Sequence, residues 1–113
     1  GQANAEMVRG RQVSAGGGLV DFMRGARRSK GGRAVLALAS TTSDGKTTRI
    51  VPTLAPGTTV TCSRYDIDFV ITENGVADVR DTTPARRAEA LIEVAAPQFR
   101  AELGDALSAG LSG

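Results

Sequence analysis

The stretch "AGGGLVDFMRGARRSKGGRAVLALAS", Ala15 to Ser40, decides how the chain is read. Its glycine triplet runs into Leu19, Phe22, Met23 and Ala26, apolar residues at helical spacing that leave Arg24, Arg27 and Arg28 towards other faces. That spacing predicts a short helix over 19–29 with glycines at its N-terminus. A second glycine pair, Gly31 and Gly32, follows, and "AVLALAS" over 34–40 is an apolar run of strand length.

Downstream, the polar turn "TTSDGKTT" leads to "RIVPTL". Asp44-Gly45 predicts a hairpin there, because that pair tolerates the positive φ angles of a tight turn. Gly45-Lys46-Thr47 matches the end of a phosphate-binding P-loop, but Ser40 stands where that loop needs a glycine, and a strand follows where it needs a helix. "TTVTCSR" and "DFVITE" read as two more strands, so the middle of the chain is expected to be a sheet. "GQANAEMVRGRQVS" suggests a strand and a loop.

Near the C-terminus, Ala88, Leu91, Ile92 and Ala95 form a helical stripe, with Thr83 as N-cap and Pro84 at the first helical position. Phe99, Leu103 and Leu107 mark a second helix, weakened by Gly104 and Gly110. The fold class is therefore α/β, a small mixed sheet flanked by helices, in a single domain over 1–113.

Composition narrows the chemistry. Hydrophobic residues are 41% and aromatics 4% of the 113 residues, so the core is built from Val, Leu, Ile and Ala. A net charge of +2 does not argue for nucleic acid; the local concentration of Arg24, Arg27, Arg28, Lys30 and Arg33 points to an anion instead. With one cysteine, Cys62, no internal disulfide can form, and a reducing, cytoplasmic setting is expected. Cys62 reads as a packed strand residue rather than a nucleophile. No apolar run approaches ~20 residues and no signal peptide is visible, so no membrane role is expected. The absence of histidine removes Ser-His-Asp triads, Cys-His pairs and most zinc sites. Carboxylate, backbone-amide and Arg/Lys chemistry remains, with no metal expected.

Two positions stand out within that chemistry. Gly16, Gly17 and Gly18 precede a helix start, where free amides and the macrodipole favour an anion; a flexible connector is the plainer alternative. Glu73 ends an apolar strand, at the edge where open α/β sheets bind ligands; a solvated carboxylate is the plainer alternative there.

The segments "GGGLVDFMRGARRSKGGRAVLALAST", "GKTTRIVPTL", "VTCSRYDIDFVITENGVADVR" and "RRAEALIEVAAPQFRAEL" together resemble the C-terminal part of the acetyl-CoA hydrolase/CoA-transferase family over nearly the whole chain. The family's GGQxDFxxGA segment is matched by Gly17 to Ala26, and its VTEYGxAxLRG segment by Ile71 to Asp81. The resemblance implies a mechanism in which a glutamate attacks an acyl-CoA, forming a glutamyl-CoA thioester that is passed to a small carboxylate or opened by water. It implies catalytic roles for the Gly17 and Gly18 amides at the thioester oxyanion, and for Glu73 in orienting or supporting the nucleophile. It places CoA, a substrate rather than a bound cofactor, along Gly16, Leu19, Asp21, Phe22, Arg24, Gly25, Arg27 and Lys30.

In the family the nucleophilic glutamate lies upstream of the segment matched by "GQANAE". The chain is therefore expected to work only with an N-terminal portion or partner subunit that supplies it, and as a homo-oligomer. The alternative is a non-catalytic CoA-binding or protein-interaction module derived from the same domain. Three residues depart from the family pattern: Leu19 where it has Gln or Ser, Asn74 where it has Tyr, and Ala96 where it has His.

Overall fold

The computed structural model describes residues 1–112. The chain opens with a hairpin of β1 (Met7–Val8) and β2 (Arg11–Gln12), turned by Arg9 and Gly10, both at positive φ. Helix α1 (Leu19–Arg28) leads to β3 (Val35–Ala37), and β4 (Phe69–Thr72) and β5 (Gly75–Asp78) complete a sheet of order β3-β4-β5. β3 runs parallel to β4, and β5 returns antiparallel. Helices α2 (Pro84–Glu93) and α3 (Arg100–Ser112) follow, joined through a 3-10 turn over Pro97–Phe99. The fold is α/β with a small mixed sheet, as the sequence suggested.

The local causes are visible. Met23 on the inward face of α1 is buried, with Leu19 and Val20 packed against the same core. The helix stops at Ser29, whose hydroxyl donates to the Ala26 carbonyl at 2.7 Å. Gly32 then passes so close that a Cβ there would sit 1.9 Å from the Ala26 oxygen. At α2, the Thr83 hydroxyl accepts from the Arg86 amide at 3.3 Å and Pro84 fills the first turn, where its missing N–H costs nothing.

Strand register sorts the sheet's two faces. Leu36, Val70 and Ala77 align on one face, against a core that includes Val94, Ala95 and Leu103. The other face carries Val35, Phe69 and Asp78 in one row and Ala37, Ile71 and Val76 in the next. Val76 is 62% exposed and Val35 41%, so this apolar face is largely open.

Three expectations need correction. "RIVPTL" forms no strand: Pro52 lacks an amide donor, and the Thr48 hydroxyl bonds the Ile50 amide and carbonyl in a local turn. The Asp44-Gly45 turn itself is present, closed by a single bridge between Thr41 and Thr48. "TTVTCSR" forms only an isolated bridge, Cys62 to Ala3, and Ser63 turns to cap a 3-10 helix over Arg64–Asp66. Cys62 is nonetheless fully buried, as a packed residue should be. The third correction is β5, which the sequence reading left out of the sheet.

A buried carboxylate ties the entrance to the sheet. Asp68, 7% exposed, accepts from the buried Ala34 amide at 2.9 Å through Oδ2 and meets Arg27 Nε at 3.4 Å through Oδ1. Asp68→Ala leaves that amide unpaired and is expected to lower stability by about 2 kcal/mol, whereas Asp68→Asn, which keeps an acceptor, costs less. Urea unfolding midpoints measure both. Gly32→Ala, forced against backbone, is expected to cost a further, independent loss of about 2 kcal/mol in the same assay.

Candidate functional site

The carboxyl ends of the two parallel strands meet at Glu73. Register pairs Thr72 with Gly75, so Glu73 and Asn74 form the two-residue turn between β4 and β5. The turn is anchored below: the Thr72 hydroxyl donates to the Val94 carbonyl at 2.6 Å and accepts from the Asn74 amide at 3.0 Å. The Glu73 side chain is exposed at this edge and reaches across to Ser40, just beyond β3. The Ser40 amide donates to Oε2 at 3.0 Å and Oε1 at 3.3 Å, and the Ser40 hydroxyl donates to Oε1. Asn74 Nδ2 in turn donates to Ser40 Oγ at 3.2 Å. The Ser40 hydroxyl, then the Ser40 amide, hold the Glu73 carboxyl below the usual glutamate range. The result is an ionised, immobilised and accessible carboxylate at the carboxyl edge of the sheet.

The glycine segment forms a separate feature. Gly17 is at φ +56 and Gly18 caps α1 with no side-chain hydrogen bond. The first amides of the helix are therefore free of a side-chain cap, as an anion site requires. The Phe22 ring lies against Gly18, 3.2 Å from where a Cβ would stand, yet is 81% exposed. Leu19 packs against the core, which accounts for an apolar residue at this departure from the family pattern. Gly16 sits beside Glu6, whose carboxylate accepts from the Thr61 hydroxyl at 2.6 Å. Among the described residues no hydrogen bond or ion pair joins the glycine segment to Glu73.

The basic residues are only partly free. Arg24 turns Nε to Asp66 Oδ1 at 3.2 Å and Nη2 to Oδ2 at 3.4 Å. Arg27 bonds the Tyr65 carbonyl and pairs with Asp68. Lys30 lies exposed beyond the helix, and Asp21 and Gly25 line its outer surface beside Phe22. No cluster of three or more His, Cys, Asp or Glu suited to a metal occurs among the described residues, and no described helix is long and apolar enough to cross a membrane.

Ser40, Asp66 and Asp68 were not singled out by sequence. Asp68, a charge opening the apolar run "DFVITE", was the available signal; Ser40 offered none beyond ending "AVLALAS".

A model of the acetyl-CoA hydrolase/transferase C-terminal domain matches residues 1–107. The chain belongs to that family. It is 48% identical over 103 residues to the 4-hydroxybutyrate coenzyme A transferase of Clostridium kluyveri, a match covering 91% of this chain and 24% of the relative. It is 47% identical over 106 residues to the succinyl-CoA:cyclohexane-1-carboxylate CoA transferase of Geobacter metallireducens, covering 94% of this chain and 24% of the relative. The crystal structure of RipA from Yersinia pestis superposes with a TM-score of 0.86 at 41% identity, covering 96% of this chain and 24% of that one. The chain thus spans about a quarter of the length of the curated relatives it matches.

Hydrogen bonds lower Glu73 through Ser40 and Asp66 through Arg24, and Arg80 holds Asp78 at about 2. Each folded value lies below its unfolded one, so the stabilisation is full above the unfolded carboxylate range, about pH 4, and is lost as pH falls through the folded values. From about pH 5 towards about 2 the thermal midpoint is expected to fall continuously, as followed by circular dichroism.

Proposed function

We propose that the chain takes part in acyl-CoA chemistry, the transfer of CoA from an acyl-CoA to a small carboxylate or the hydrolysis of the thioester. The nucleophilic glutamate would come from a portion corresponding to the upstream three-quarters of the relatives. In that chemistry the glutamate carboxylate displaces CoA thiolate from the acyl carbonyl, forming an anhydride. The thiolate then attacks the glutamyl carbonyl, which releases the first carboxylic acid and leaves a glutamyl-CoA thioester. A second carboxylate repeats the two steps in reverse and restores the glutamate; water in its place gives hydrolysis.

The observation that carries this reading is the fixed, exposed Glu73 carboxylate in a chain matched to the family over residues 1–107. Glu73 would orient the attacking group. Gly17 and Gly18 would present amides to the developing oxyanion, a role that suits donors already aligned at a helix start. The CoA phosphates would lie near Lys30 and the Arg24 and Arg27 nitrogens not turned to Asp66 and Asp68, with Gly16, Leu19, Asp21, Phe22 and Gly25 along the same path.

The open sheet face supports the need for a further portion. A strand paired in parallel is ordinarily covered on both faces, and β4 is fully covered on one, its outward Phe69 and Ile71 being only half-buried. That face also favours a second reading, a non-catalytic module that binds a protein partner through it.

The test is to fuse the chain behind the upstream portion of the C. kluyveri relative and assay acetyl-CoA with a panel of small carboxylates. The fusion is expected to turn over, the 113-residue chain alone to be inert, and Glu73→Ala in the fusion to lower kcat/KM by about 100-fold. A folded fusion that associates but neither binds nor consumes any CoA ester would leave the binding-module reading in its place.

A further inference from the structure

The grip on Glu73 has a direction built into it. A serine hydroxyl carries one proton and accepts through its lone pairs, while an ionised carboxylate only accepts. Ser40 is fully buried and its Oγ lies between Glu73 Oε1 and the Asn74 side-chain amide. The single proton must go to the carboxylate, because Glu73 has none to give. Asn74 must then present its NH2 group rather than its oxygen, and its donation into Oγ turns the hydroxyl proton away from itself and towards Glu73.

Asn74 is in turn held by its backbone. Its amide donates to Thr72 Oγ1 at 3.0 Å, and that hydroxyl donates to the Val94 carbonyl at 2.6 Å, just past the end of α2. The Thr72 hydroxyl thus ties the turn to the end of α2, and the Ser40 hydroxyl ties the same turn to the chain just beyond β3. Neither Glu73 nor Asn74 belongs to any of the ion pairs formed by Arg24, Arg27 and Arg80. The carboxylate's setting comes from neutral donors.

We infer that Ser40 and Asn74 are positioning residues for the Glu73 carboxylate: Asn74 commits the buried Ser40 hydroxyl as a donor, and Ser40 fixes the carboxylate's orientation with its hydroxyl and amide. Asn74 stands where the family pattern has a tyrosine, so this chain reaches the grip through an amide of its own. The role in catalysis rests on the reading of Glu73 given above; the grip itself does not.

Two measurements keep those apart. In the 113-residue chain, the Glu73 carboxyl carbon is followed by NMR through an acid titration, for the parent, Ser40→Ala and Asn74→Ala. Both substitutions are expected to move the midpoint up towards the ordinary glutamate value, Ser40→Ala further than Asn74→Ala. Asn74 is exposed, so its variant reports even where removal of the buried hydroxyl prevents folding. A midpoint unmoved by Asn74→Ala overturns the inference, whatever the activity. In the fusion, Asn74→Ala is expected to lower kcat about tenfold with KM unchanged, since it disturbs orientation and leaves substrate contacts alone. A shifted midpoint with an inactive parent fusion would sink the catalytic reading and leave the grip standing.

Discussion

Two carboxylates flanking β4 take the backbone amides that lie just outside the three-residue strand β3. Asp68 accepts from the Ala34 amide before it, and Glu73 accepts from the Ser40 amide after it. Between them, the Phe69 amide donates to the Ala34 carbonyl at 3.1 Å and the Leu38 amide to the Ile71 carbonyl at 3.0 Å. The side chains thus extend a short parallel ladder by one rung at each end. Such an extension matters because parallel pairing is weak per residue and closing a long connection costs entropy. The connection from Ala37 to Phe69 holds only a 3-10 turn as regular helix among its residues. β5 hangs on β4, and α2 packs on β5, so the whole sheet depends on this pair being held.

The two clamps differ in what surrounds them. Asp68 is buried, faces an arginine on α1 and has its oxygens committed to the Ala34 amide and Arg27. Glu73 makes the equivalent bond at the opposite end but stays exposed, and its donors approach from one side only. In the role proposed for Glu73, this structural bond would do the preparatory part. It fixes the rotamer and keeps the group ionised, while leaving the outer oxygen lone pairs to whatever meets that edge. The double duty also means that loss of Glu73 removes a ladder rung along with any chemical function, so kinetic effects are interpretable only beside a measure of folding.

Local signals carried the helices and the core strand, and contacts between distant residues carried the rest. α1 and α2 were legible because spacing, the Thr83 cap and Pro84 all act within one or two turns. "DFVITE" was legible because its apolar run is strand-like on both faces. "TTVTCSR" looked equally strand-like, yet its partner is Ala3, which offers one bridge and no ladder. β5 was overlooked because "NGVADV" begins with turn residues. Register places the turn at Glu73 and Asn74 and makes Gly75, at φ +143, the first strand residue. The glycine triplet and Glu73 could each be named as chemical candidates, but Ser40 could not. A buried serine at the end of an apolar run acquires meaning only from a residue more than thirty positions away.

Glu73 also stands at a boundary between a covered and an uncovered surface. Thr72 turns inward to the Val94 carbonyl on the core side, while Val76, three residues beyond Glu73, is 62% exposed on the open side. The turn carrying the carboxylate wraps from one face to the other. The open face is apolar along Val35, Ala37 and Val76, and apolar area of that kind is stabilised by being removed from water. In the proposed assembly, the surface that covers this face must end beside Glu73. Hydrophobic docking would then set the distance between the held carboxylate and a nucleophile carried elsewhere. Packing and catalytic geometry would be fixed by the same contact.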